Sequence, residues 1–251
     1  MLRHALPFCG CRKLLYSEIC LCYDTHNKEG NNMNISYLFD FDGTLVDSMP
    51  VFASSMLRIL DENNISYGAD LVKIITPLGA HGTVQYFRNH LGLKMSEEQM
   101  MQVMGSYLMD AYCYTIPAKN HVIPVLKELK RRGASLNILT ASPHITLDAC
   151  LKRLEIWDLF DNIWSCDDFN TTKADPDIYV QAAGRMHTTV DKVLFLDDNL
   201  KADQTAKSAG MLTCGVYDDS SAAYVEEMKA ANDFYIYDFM ELLDLKMEEK
   251  A

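Results

Sequence analysis

Asp40-Phe41-Asp42-Gly43-Thr44-Leu45-Val46-Asp47 stands directly behind the apolar run Tyr37-Leu38-Phe39, and the fold is decided by how this stretch is read. Strand-forming residues followed at once by two carboxylates and a glycine read as a buried strand ending in a chemically loaded turn. In an open parallel sheet, ligands bind outside the carboxyl ends of the strands. Two aspartates two residues apart at such an end can point the same way. Gly43 lets the chain turn sharply there and present backbone N–H groups.

Further short apolar runs recur outward from this point. Ile35 to Phe39, Ser135 to Leu139, Asn162 to Trp164, Val193 to Leu196 and Leu212 to Val216 each read as a buried strand, with a weaker sixth at Phe234 to Ile236. Helical patterns lie between them. Val122, Val125, Leu126 and Leu129 share one helical face, while Ser142-Pro143 and Asp175-Pro176 carry the cap and first-turn signals of two more helices. This alternation predicts an α/β fold with a doubly wound parallel sheet. Residues 48–117 are the exception, because they hold helical stripes and no convincing strand. One stripe is Phe52, Met56, Ile59 and Leu60; another is Met100, Met104, Tyr107, Leu108 and Ala111, behind a capping box from Ser96 to Gln99. The expected organisation is an α/β core of residues 33–47 and 118–251, a small helical cap over 48–117, and an N-terminal extension over 1–32.

The octet resembles the first motif, D-x-D-G-T-L-x-D, of the haloacid dehalogenase superfamily of phosphotransferases. Three further motifs of that family follow in order. Thr140 stands behind the second strand. Lys173 lies in Lys173-Ala174-Asp175-Pro176-Asp177, and Asp197-Asp198-Asn199 with Asp203 follows Val193 to Leu196. The resemblance covers residues 33 to 245, and the helical insertion stands where the phosphoglycolate-phosphatase-like and β-phosphoglucomutase-like branches carry their cap. Two departures are visible. Ala174 replaces a common proline, and Asp197 stands where many members have glycine.

The resemblance implies a Mg²⁺-dependent phosphatase of small phosphomonoesters. Asp40 is the implied nucleophile and Asp42 the acid and base. Mg²⁺ would be held by Asp40, Asp198 and the backbone carbonyl of Asp42, with Asp197 a ligand or an outer partner and Asp203 a third candidate. Lys173 would pair with the nucleophile and the phosphoryl group. Gly43, Thr140, Ala141 and the helix start at Ser142 would bind phosphoryl oxygens. An acid at Asp42 favours phosphoryl transfer over carbon–halogen hydrolysis. The rival readings are a β-phosphoglucomutase-like mutase and a silent phosphate-ligand binding protein. Substrate choice falls to the cap, where Thr76 to Thr83 reads as a loop between helices and His81, Thr83 and Gln85 are the specificity candidates.

Composition narrows the partners. The chain has 251 residues, 49% of them hydrophobic and 23% charged, which suffices for a sizeable core and argues against collagenous, disordered or disulfide-dense classes. A net charge of −12 repels a phosphate backbone, so nucleic acid is not an expected partner. No apolar run reaches the about 18 residues of a membrane helix, so no membrane partner is expected, while the resemblance implies a small phosphorylated metabolite as partner and the cytoplasm is the expected location. Cys9, Cys11, Cys20 and Cys22 form two C-x-C pairs whose spacing fits structural zinc poorly, and Arg12, Lys13 and Glu18 interrupt any signal-peptide core. An extension, or a start at Met33, is the simpler expectation. Cys113, Cys150, Cys166 and Cys214 read as reduced thiols.

Overall fold

The computed structural model describes residues 35–75 and 78–246. The expectations for the N-terminal cysteines, for residues 1–32 and for Thr76 and Pro77 fall outside them. Six parallel strands form one sheet: β1 (Ser36–Phe39), β2 (Ser135–Thr140), β3 (Asn162–Ser165), β4 (Val193–Asp197), β5 (Leu212–Val216) and β6 (Phe234–Ile236). Their order is β3-β2-β1-β4-β5-β6. The anticipated strands, including the weak sixth, are all present.

Alternate side chains along the strands enter two apolar layers, one on each face of the sheet, as a period of two requires. Tyr37, Phe39, Leu194 and Leu196 lie in one layer, Leu38, Val193 and Phe195 in the other. The first layer is covered by α5 (Val122–Arg131) and α6 (His144–Arg153), through Val122, Val125, Leu126 and Leu129 and through Leu147, Cys150 and Leu151. The second is covered by α7 (Asp177–Arg185) and α8 (Leu200–Ser208), through Ile178, Tyr179, Ala182, Ala183, Ala202 and Ala206.

Among the described residues, four helices occupy the stretch between β1 and α5: α1 (Met49–Glu62), α2 (Leu71–Ile75), α3 (Gly79–His90) and α4 (Glu97–Tyr114). Met56, Ile59 and Leu60 of α1 are buried with Met100, Met104 and Leu108 of α4, and the capping box of Ser96 with Gln99 forms as the sequence indicates. This insert shares one continuous apolar cluster with the first layer of the core, and α4 lies against α6. A final helix, α9 (Val225–Ala231), precedes β6. No helix among the described residues is long and apolar enough to cross a membrane.

Two local features differ from the sequence expectation. Ser142 does not cap α6; Pro143 occupies that position without a side-chain bond, and the serine hydroxyl turns elsewhere. The segment expected as a loop through Thr83 is helical from Gly79 onward, because Val84 and Phe87 are fully buried and their packing outweighs the poor helix propensity of Gly79 and Gly82.

Candidate active site

The strand register builds the site. Phe39 pairs with Leu196 and Ile138, and the N–H of Asp40 continues the ladder to the Leu196 carbonyl at 2.8 Å. Asp40 therefore leaves the sheet beside Asp197, between β1 and β4, where the strand order reverses direction. Thr140 ends the neighbouring strand and is buried, its oxygen accepting the N–H of Ser142 at 3.1 Å.

Lys173 arrives from the segment after β3. Its ammonium stands 2.7 Å from Asp40 Oδ1 and 2.7 Å from Asp197 Oδ2. Burial works against this charge, yet Asp197 and Asp40 more than offset it and hold the lysine well above its usual range. Asp198 closes the cluster. Asp40, Asp197 and Asp198 each offer an oxygen within 4.8 Å of the others, all three buried. Burial, partly opposed by Lys173, pushes Asp197 up to about 7, with Asp40 adding to the rise. Burial followed by the charges of Asp197 and Asp40 pushes Asp198 well up. Three carboxylates, when ionised, outnumber the single ammonium, and the donors are all oxygen. That donor set fits a hard divalent cation.

The turn after β1 is tightly bonded. Leu45 and Val46 donate to the Phe41 carbonyl at 2.9 and 3.1 Å, and Gly43 donates to the Val46 carbonyl at 3.0 Å. The Gly43 N–H is therefore engaged inside the turn. The glycine also makes room. It adopts φ +75°, and a Cβ there would lie 2.5 Å from Asp198 Oδ2. Thr44 fixes the same carboxylate by donating to Asp198 Oδ1 at 3.1 Å.

Asp42 points into a ring of hydroxyls. Tyr112 of α4 donates to its Oδ1 and Ser142 to its Oδ2. The Ser48 hydroxyl is buried against the Asp42–Tyr112 pair, with no partner in hydrogen-bonding geometry among the described residues. Asp42 is raised above the usual carboxylate range, first by enclosure and then by the charge of Asp40, with the hydroxyls pulling the other way. A carboxyl that holds its proton more tightly than usual, beside one that is paired with a lysine, suits acid–base work next to a nucleophile.

A family model described as haloacid dehalogenase-like hydrolase matches residues 37–216. The chain belongs to this family. Relatives of this hydrolase include a phosphorylated carbohydrates phosphatase of Thermotoga maritima, 24% identical over 174 residues that cover 69% of this chain and 81% of the relative. A phosphoglycolate phosphatase of Salmonella paratyphi A is 26% identical over 200 residues, covering 71% and 79%. The crystal structure of a predicted phosphoglycolate phosphatase from Haemophilus somnus superposes with a TM-score of 0.73 at 21% identity, covering 86% of this chain and 99% of that one.

Within the hydrolase, His81, Thr83 and Gln85 of α3 each bond to another residue of the insert. His81 and Gln85 both bond the Glu97 carboxylate at the start of α4, and Thr83 donates to the Ile75 carbonyl at 3.4 Å. Asp203 is buried but bonds Asn232 at 2.7 Å and stands outside the triad. Sequence reasoning missed Tyr112, Thr44 and Lys119. Lys119 donates to the carbonyls of Gly43 and Tyr217 at 2.6 Å each and pairs with Asp218 at 2.9 Å, tying the first motif to the segment after β5. Tyr112 continues the spacing of Met100, Met104 and Leu108, so a signal for its inward direction was present, though none for its hydroxyl's partner.

Proposed function

We propose that this hydrolase is a Mg²⁺-dependent phosphatase of small phosphomonoesters that works through an aspartyl phosphate on Asp40. The observation that carries the reading is the Lys173 ammonium shared between Asp40 and Asp197, with Asp198 in reach and Asp42 two residues on. A phosphomonoester dianion repels a carboxylate, so nucleophilic attack by Asp40 needs cationic charge at the phosphoryl group. Asp40, Asp198 and the Asp42 carbonyl would hold Mg²⁺, which supplies part of that charge. Lys173 supplies the rest. Asp197 has one oxygen on Lys173 and the other on the Asn199 N–H at 2.8 Å, an arrangement that favours a role in holding the lysine.

An oxygen of Asp40 bonds to phosphorus as the ester P–O bond breaks, and Asp42 passes its proton to the departing alkoxide. Asp42 then takes a proton from the water that attacks the same phosphorus, releasing phosphate and restoring Asp40. Thr140 and Ala141, beside the start of α6, are placed by this reading around the phosphoryl oxygens. The helical insert serves as the cap over residues 48–117, and the substrate is a small phosphorylated metabolite, with phosphoglycolate and sugar phosphates the first to try.

The test is release of inorganic phosphate from phosphoglycolate, hexose and pentose phosphates, nucleoside monophosphates and pyrophosphate in the presence of Mg²⁺. Release from one or a few of them supports the phosphatase. Isomerisation of hexose phosphates without release overturns it in favour of the mutase, and an inert, folded protein overturns it in favour of ligand binding.

A further inference from the structure

The helical insert sends one side chain into the acid–base centre, and its surroundings fix it there. Tyr112 lies in the last turn of α4 and is 1% exposed. Its ring stacks on Phe41, the residue between the two aspartates, with centroids 6.1 Å apart and planes 24° from parallel. Its backbone carbonyl accepts from Arg153 Nε at 3.0 Å, and the same guanidinium bonds the Ile116 carbonyl. Arg153 ends α6, a helix of the sheet's own layer. Shortly beyond Ile116 the chain rejoins the core, where Ala118 bridges Val46. Tyr112 thus sits at the foot of the insert, bolted to the core.

A phenol in place of a phenyl ring is costly to bury unless its hydroxyl is bonded. The Tyr112 hydroxyl donates to Asp42 Oδ1 while Ser142 donates to Oδ2, so the carboxyl is held from both sides. We propose that Tyr112 is a positioning residue that holds the Asp42 carboxyl in line with the leaving group. The proposal rests on the assignment of Asp42 as acid and base made above.

The test compares kcat/KM for p-nitrophenyl phosphate, whose leaving group departs without a proton, with kcat/KM for the alkyl phosphate that the wild type hydrolyses best. The variants are Tyr112→Phe, which keeps the ring and its stack, Ser142→Ala, which frees the other oxygen, and Asp42→Asn as the reference. The expected result is a loss of about tenfold or more on the alkyl ester for Tyr112→Phe and for Ser142→Ala, with p-nitrophenyl phosphate within about threefold of wild type. Equal losses on both substrates would mean a structural role only and overturn the proposal, as would no loss on either. If Asp42→Asn itself fails to discriminate between the two leaving groups, the assignment of Asp42 falls and the proposal falls with it.

Discussion

The backbone of Gly43 lies directly beneath the carboxylate of Asp198: a Cβ on the glycine would stand 2.5 Å from Oδ2 and 2.7 Å from Oδ1. Two residues from opposite ends of the core sequence therefore share a space that only a hydrogen atom can occupy, which explains the glycine better than its turn geometry alone. Gly43→Ala should raise the Mg²⁺ concentration needed for half-maximal activity by about tenfold or more, because Asp198 must leave its place. The strain of a left-handed alanine adds about 1 kcal/mol or more to the cost. Metal titration of activity, with a urea melt alongside, checks both.

Asp197 and Asp198 should separate in their effects. Asp197 is engaged by Lys173 and the Asn199 N–H, whereas Asp198 is held by Thr44 alone among the hydrogen bonds described. Asp198→Asn is expected to weaken Mn²⁺ binding, followed by calorimetry, by about tenfold or more, and Asp197→Asn to leave it within a few-fold while lowering turnover. The reverse order would exchange their roles.

Lys119 links three segments through the Gly43 carbonyl, the Tyr217 carbonyl and Asp218. Lys119→Met removes the donor to Asp218 Oδ2 and to both carbonyls, while Asp218 Oδ1 keeps the N–H and hydroxyl of Ser220. The expected loss of stability is about 3 kcal/mol, measured by urea denaturation.

His144 faces a carboxylate on each ring nitrogen, Asp148 at 3.0 Å and Asp168 at 2.8 Å, and these bonds raise it above its ordinary value. A raised folded-state value means stability that is fully present below the unfolded value and lost as pH rises through the folded one. The ring is partly exposed, so the effect is small. Wild type should melt about 1–3 °C above His144→Ala near about pH 5.5, and the gap should close near about pH 9.

Much of this was legible because it is local or periodic. The strands announce themselves as short apolar runs, since both faces of a parallel sheet are covered, and Asp40, Asp42, Thr140, Lys173, Asp197 and Asp198 all lie at or after strand ends in order. What escaped was non-local. Ser142 stands before a proline and reads as a cap, but its hydroxyl belongs to Asp42, 100 residues away. Tyr112 reads as core filling by its spacing, and only the folded chain brings its hydroxyl to the same carboxyl. The start of α3 reads as a turn from its glycines, whereas the burial of Val84 and Phe87 makes it helix.

Phosphate release from the best substrate of the panel, by wild type and by Asp40→Asn, each with Mg²⁺ or with EDTA, tests most directly whether Asp40 is the nucleophile of a metal-dependent phosphatase. Wild type should release phosphate with Mg²⁺ alone, and Asp40→Asn should lose about a thousandfold or more with its fold intact by circular dichroism. Release that survives the substitution, or that proceeds unchanged in EDTA, would contradict this assignment.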